Sequence, residues 1–221
     1  MIRMVVSSFY NTLIDKEDAI PMSTMLEIDK LRKKGIIFSV CTNRDKEEVL
    51  YYNHDYPFID YIISYNGNYI YDVKKSKAIY NNPLKKSIIN KIEKILKEYK
   101  IDYFEEDNKI YKLEIKVKKK DLKIIDKLNN LNVSTSILFL NKENYIEVTA
   151  NNIVDGINKL KIPTTEIISI IGNNSEKNLI DIIEKTYIIS NSSKELKAQA
   201  NYKTKSNNSK GVEQVIKKYN Y

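Results

Sequence analysis

Residues 31–44 read LRKKGIIFSVCTNR. Leu31 belongs to a segment, Ser23–Lys34, in which Met25, Ile28 and Leu31 recur near the helical period, and Gly35 follows as a helix stop. Ile36–Cys41 is then an apolar run of strand length, and Thr42-Asn43-Arg44 makes an abrupt polar exit. Helix, glycine, buried strand and polar loop in succession is the unit of a parallel sheet with covering helices.

Upstream, residues 5–15 read VVSSFYNTLID. A strand over Met4–Ser8 ends in a polar turn, the place where α/β enzymes put their chemistry. This turn, however, has no acid before Asp15 and neither His nor Cys. Downstream, Lys46–Tyr52 reads as a helix, Tyr61–Ser64 as a third strand closed by Asn66-Gly67, and Tyr69–Asp72 as extended chain. The middle changes character. Leu84–Tyr99 is an amphipathic helix, and Lys109–Lys118 alternates strictly, with Ile110, Lys112, Glu114 and Lys116 on its wet face. Leu122–Leu131 reads as a helix, and Ser134–Leu140 and Asn144–Val148 as strands. Beyond Asp155 the first pattern returns: a helix to Leu160, strand Ile167–Ile171, loop Gly172-Asn173-Asn174, helix Ser175–Glu184, strand Tyr187–Ile189, a short helix near Lys194–Ala200 and a last one from Gly211. The fold class expected is α/β: a doubly wound, mostly parallel sheet with a small inserted α+β unit. Residues 1–82 and 150–221 form the core domain and 83–149 the insert.

The 221 residues suffice for one such core, and 42% hydrophobic with 30% charged residues describes a folded chain rather than a disordered one. The formal charge of +8 is spread along the sequence without arginine clusters or a reader motif, so nucleic acid is not an expected partner. A single cysteine excludes a disulfide framework and a thiolate metal cluster. No run approaches the roughly 18 apolar residues of a membrane helix, and the start is too weakly apolar for a secretory signal, so a cytoplasmic location is expected.

Three segments carry a resemblance. LRKKGIIFSVCTNR, IISYNGNYIYD (62–72) and the tail ISNSSKELKAQANYKTKSNNSKGVEQVI (189–216) occur in the order and spacing of the haloacid dehalogenase superfamily, and the chain is similar to its Cof-like branch of sugar-phosphate phosphatases. The resemblance implies a Rossmann-like core with a cap domain between the second and third motifs. It also implies Mg²⁺ and a nucleophilic aspartate, and there this sequence departs. The first motif of that family, Asp-x-Asp-Gly-Thr, falls on Ser8-Phe9-Tyr10-Asn11-Thr12, so the nucleophile position holds Ser8 and the general acid–base position Tyr10. The second-motif hydroxyl is kept as Thr42. The third-motif Lys-Gly pair falls on Asp155-Gly156. The fourth motif, Gly-Asp-x-x-x-Asp, falls on Gly172 to Lys177, with Asn173 and Lys177 replacing its acids.

A carboxylate nucleophile is ionised at neutral pH, whereas Ser8 needs a base, and the only histidine, His54, sits in the polar stretch YYNHDYP as an expected surface residue. Ser8, the Tyr10 carbonyl, Asn173 and Lys177 supply no anion for a hard cation, so no cofactor is expected. An Asp155–Lys177 ion pair near the vacated metal position is expected instead, since unpaired buried charge is costly; Lys159 is an alternative cation there. Thr42, the amides of Asn11 and Asn43, and a helix start after Asn174 are expected to cradle a phosphate or other small anion. The expected function is therefore a catalytically impaired phosphatase homologue, a pseudoenzyme that binds a small phosphorylated or anionic ligand or a partner. The alternatives are a hydrolase with rebuilt chemistry, using Ser8 or Tyr10 as nucleophile, and a non-enzymatic interaction module presenting the cap strand IYKLEIKVKKK (110–120).

Overall fold

A computed structural model describes residues 1–140 and 142–220. In chain order its strands are β1 (Met4–Ser8), β2 (Ile37–Cys41), β3 (Tyr61–Ser64), β4 (Tyr69–Asp72), β5 (Lys77–Asn81), β6 (Ile101–Glu106), β7 (Lys109–Val117), β8 (Ser134–Leu140), β9 (Glu143–Thr149), β10 (Ile167–Ile171), β11 (Lys185–Ile189) and β12 (Tyr202–Thr204). The helices are α1 (Met22–Lys33), α2 (Lys46–Asn53), α3 (Lys86–Ile95), α4 (Ile124–Asn129), α5 (Ile153–Lys159), α6 (Leu179–Ile182), α7 (Lys194–Ala198) and α8 (Gly211–Lys217). None of the helices among the described residues is long and apolar enough to cross a membrane.

β1 and β10 are apolar almost throughout because both of their faces are covered. Val5, Ile168 and Ile170 point into one core with Ile28, Leu31 and Val215, beneath α1, α2 and α8. Met4, Val6, Ile167 and Ile171 point into the other with Ile153, Ile157, Leu179 and Leu196, beneath α5, α6 and α7. The eight-stranded sheet has the order β12-β11-β10-β1-β2-β3-β4-β5. It is parallel from β12 to β3 and antiparallel beyond. Connections from β1 run toward β2 and β3, and those from β10 run toward β11 and β12. The order therefore reverses between β1 and β10, and a crevice opens at their carboxyl ends.

The second sheet is antiparallel, β6-β7-β9-β8, with α3 and α4 packed on one face around Leu113, Ile115, Ile146 and Val148. Its other face turns to the core sheet. Both chain crossings are tied to the buried side chain of Asn68. The Asn68 amide donates to the Asn151 carbonyl at 2.7 Å and accepts from the Asn151 amide at 2.9 Å and from the Asn82 side chain at 3.3 Å. A tyrosine cluster, in which Tyr65 stacks on Tyr111 at 5.2 Å and Tyr69 meets Tyr111 edge-on, packs cap against core beside the Lys46–Glu106 ion pair.

Helix α5 approaches the turn after β3 at backbone distance. A Cβ on Gly156 would lie 2.5 Å from the Gly67 carbonyl oxygen and 2.7 Å from its Cα, and Gly67 itself has φ +91°. Neither backbone atom can yield as a side chain would. Gly156→Ala is expected to destabilise the protein by about 1–3 kcal/mol through overpacking, measured as a fall in the denaturant midpoint; an unchanged midpoint would refute the close contact.

Candidate functional site

The site forms at the strand-order reversal. β1 delivers Ser8 to its carboxyl end, and Phe9, fully buried, anchors the turn that follows. Asn11 takes a left-handed conformation, φ 57°, which an asparagine tolerates better than most residues, and Tyr10 before it is extended and half-buried, its ring packed against the core. Tyr10 donates its hydroxyl proton to Glu48. The Arg44 guanidinium lies 4.7 Å above the Tyr10 ring and pairs with Glu48 at 3.1 Å. Burial first, and then the Glu48 carboxylate, push the Tyr10 phenol well above its ordinary range.

Ser8 is fully buried. Its Oγ donates to Glu176 Oε2 at 3.0 Å and accepts from the Gly172 amide at 3.3 Å. Glu176 is 2 % exposed. Burial pushes its carboxyl up to about 7, against the pull of hydrogen bonds from Ser8, Ser175 and Asn173, and nearby Glu147 adds to the rise. Position 176 was read as a spacer in the fourth motif, between Asn173 and Lys177. The structure reverses that reading: Glu176 faces the site, and Lys177 is exposed. The cause is that the expected helix Ser175–Glu184 does not form as one piece. A tight turn over Asn174–Glu176 precedes α6, which starts only at Leu179, so the helix start expected to bind an anion is absent there. One signal was in the sequence: Glu176, Leu179 and Ile183 are spaced i, i+3, i+7, and all three are buried.

The Asp155–Lys177 pair is also corrected. Among the described residues no ion pair joins them; Asp155 lies half-buried in the first turn of α5, toward Tyr80, and Lys177 lines a different cleft. Lys159 does not reach the site either, because its ammonium sits 5.3 Å over the Tyr80 ring. His54 is at the surface, hydrogen-bonded to Asp55.

Core and cap enclose a cleft of about 490 Å³, walled by Tyr10, Asn11, Asn43, Arg44 and Asn173 from the core and by Phe104, Lys112 and Glu114 from the cap. Thr42 is buried behind it, its hydroxyl accepting from the Arg44 amide at 3.1 Å. Asn11 Nδ2 donates to Asn173 Oδ1 at 3.2 Å, and Asn43 Nδ2 donates across the boundary to cap Glu147 at 2.7 Å. The face of β7 read as wet is therefore only partly so. Lys116 is exposed, but Lys112 is 1 % exposed, its ammonium 2.6 Å from Glu114, 3.4 Å from Glu147 and 3.7 Å over the Phe104 ring.

The family model for haloacid dehalogenase-like hydrolases matches residues 10–187. The chain belongs to that family. Solved structures share its HAD fold across nearly the full chain. The HAD subclass IIB sugar phosphatase BT4131 matches with TM-score 0.84 at 15% identity, covering 98% of both chains. The HAD phosphatase BT1666 from Bacteroides thetaiotaomicron matches with 0.84 at 13%, covering 99% of this chain and 95% of that one. A haloacid dehalogenase-like hydrolase from B. subtilis matches with 0.83 at 14%, covering 98% and 99%. These neighbours agree with the fold that the resemblance implies. Among curated proteins none matches this sequence.

The Mg²⁺ used by the HAD family needs several hard oxygens in octahedral array, usually with one or two carboxylates. At the end of β1 the oxygens are Ser8 Oγ, the Tyr10 carbonyl, Asn173 Oδ1 and the Glu176 carboxylate. Asn173 turns its Nδ2 to the Tyr10 carbonyl at 3.0 Å, so amide hydrogens point where an ion would need lone pairs. Its Oδ1 is taken by Asn11, and Glu176 has its proton affinity raised to the neutral range. Among the described residues no group of three or more His, Cys, Asp or Glu side chains stands ready for a metal ion. This donor set does not fit the ion.

Proposed function

We propose that this chain is a HAD-fold protein whose aspartyl-phosphate route is closed and which binds a small phosphorylated ligand in the core–cap cleft. The observation that carries this is the state of position 8. Phosphoryl transfer in this family starts from an ionised carboxylate, and here a buried serine hydroxyl donates a hydrogen bond to Glu176 and accepts one from the Gly172 amide. Tyr10 is ill suited as its neighbour's acid–base partner, because its hydroxyl donates to Glu48, and burial with that carboxylate keeps the proton on the phenol. What remains suits recognition: amide donors at Asn11, Asn43 and Asn173, and the cations Arg44 and Lys112, surround a cleft large enough for a sugar phosphate.

A second reading keeps hydrolysis, with Ser8 as nucleophile and Glu176 as its base; their 3.0 Å contact favours it, and the burial of both groups opposes it. An aryl phosphate assay with and without Mg²⁺ separates the two. The expected result is no Mg²⁺-dependent turnover above background, alongside calorimetric binding of a small sugar phosphate at millimolar ligand or below. Turnover that disappears in Ser8→Ala supports the second reading, and no heat with any sugar phosphate rejects the first.

A further inference from the structure

Glu147 is a cap residue in β9, 1 % exposed, at the back of the cleft, and its carboxylate accepts from core and cap side chains alike. Asn43 Nδ2 at 2.7 Å and Lys112 Nζ at 3.4 Å bond Oε1; Ser136 Oγ at 2.8 Å and Asn66 Nδ2 at 3.3 Å bond Oε2. Asn43 and Asn66 come from the core, from the loops that leave β2 and β3. These loops hold each other, the Asn66 amide donating to the Thr42 carbonyl at 3.2 Å and the Tyr65 amide to the Arg44 carbonyl at 3.3 Å. They present side-chain N–H donors at the carboxyl edge of the sheet, where an anion entering the crevice would be held. A carboxylate with two bonds on each oxygen leaves those donors no vacancy.

We propose that Glu147 is an anion supplied by the chain itself, seated in the cradle a ligand phosphate would use, so that a phosphorylated ligand binds only by displacing it. This rests on the reading of the cleft as a phosphate site and names the residue that sets its affinity and its charge preference. With Glu147 in place, an incoming dianion meets Glu147 and Glu114 beside the ammonium of Lys112, with Arg44 across the cleft already paired to Glu48. With Glu147 displaced, Asn43, Asn66 and Ser136 are free to donate, Lys112 stays paired with Glu114 but loses its second carboxylate, and the nearest like charge is gone.

The test is a calorimetric titration of inorganic phosphate into wild type, Glu147→Gln and Glu106→Gln. Gln at 147 keeps the volume and removes the charge. Glu106→Gln weakens a different tie between cap and core, the contacts with Lys46 and the Tyr65 hydroxyl, and leaves the cradle filled. Phosphate is expected to bind Glu147→Gln at least about tenfold more tightly than wild type, and Glu106→Gln like wild type. Glu147→Ala, which empties the same space, is expected to shift in the same direction and to gain more in melting temperature from phosphate than wild type does. Equal affinity of wild type and Glu147→Gln, including no binding by either, overturns the proposal. So does an equal gain in Glu106→Gln, which assigns the effect to a looser cap. The reading beneath it fails separately, through Mg²⁺-dependent turnover of an aryl phosphate by wild type.

Discussion

Replacing Lys112 by methionine is expected to destabilise the protein by about 3–5 kcal/mol. Strands β7 and β9 pair with Glu114 directly opposite Glu147, and like charges at that position repel. Lys112, two residues along the same face, resolves the clash by placing its ammonium between the two carboxylates. Glu147 is 1 % exposed, so its charge has no recourse to water once the cation is gone. Methionine keeps most of the volume over the Phe104 ring, which confines the loss to the charge. Chemical denaturation measures it. The double variant Lys112→Met/Glu147→Gln is expected to recover part of the loss, since it removes the stranded carboxylate as well. A loss under about 1 kcal/mol in the single variant would show that the two carboxylates do not depend on this cation.

Stability is also expected to fall as pH rises through the neutral range, and Glu176 is the cause. Its carboxyl moves from an ordinary value of 4.5 to about 7 on folding, because burial opposes the charged form. Between those values the folded state holds a proton that the unfolded state has released. The contribution of this group is therefore complete below about pH 4.5 and lost as pH passes 7, a change of about 3 kcal/mol. Glu27, Asp72 and Glu213 have lowered values and act in the opposite sense at acid pH, so the informative quantity is the difference between wild type and Glu176→Gln. The variant cannot ionise at this position. Relative to wild type it is expected to gain about 3 kcal/mol between pH 4 and pH 8, read from denaturant midpoints across that range. Parallel pH profiles for the two proteins would mean that Glu176 titrates normally.

In the core sheet the strands legible in the sequence were those in which burial forces apolar runs; in the cap, alternating β7 and half-exposed β8 (Ser134–Leu140) were legible as well. β1, β3, β4 and β10 have the bounds read from sequence, and the glycine after α1 stops that helix as expected. The strands missed were β5, β6 and β12. β5 alternates between exposed and half-buried positions at a sheet edge, and β12 has three residues, so neither carries an apolar signal. The helix expected over Leu84–Tyr99 contracts to α3, because Leu84 is drawn into the cap sheet by a bond from its amide to the Ile110 carbonyl. At the site, motif spacing identified Ser8, Tyr10 and Asn173 as neighbours but chose Lys177 over Glu176, since spacing alone does not say which side of a turn faces inward. Alternation along β7 separated its two faces correctly from Lys112 onward, but at the bulge before it Ile110, read as wet, packs into the cap core and Tyr111 packs on the core tyrosines; the packing of the cap on the core decides that Lys112 is covered and Lys116 is not.

The double clamp at Asn68 limits how the cleft can open. Both chains joining cap to core are hydrogen-bonded to one core side chain, which makes Asn68 the natural pivot for any swing of the cap, and such a swing has to part the Tyr65–Tyr111 stack and the Lys46–Glu106 pair as well. Glu147 is four residues from Asn151, about 13 Å of strand, and Glu143 about twice as far. A swing of about 10° carries the near point roughly 2 Å and the far point roughly 4–5 Å. The short lever arm is already enough to part Glu147 from Asn43, now 2.7 Å away. A rotation of the cap by that angle would therefore be enough to open the Asn43–Glu147 bond.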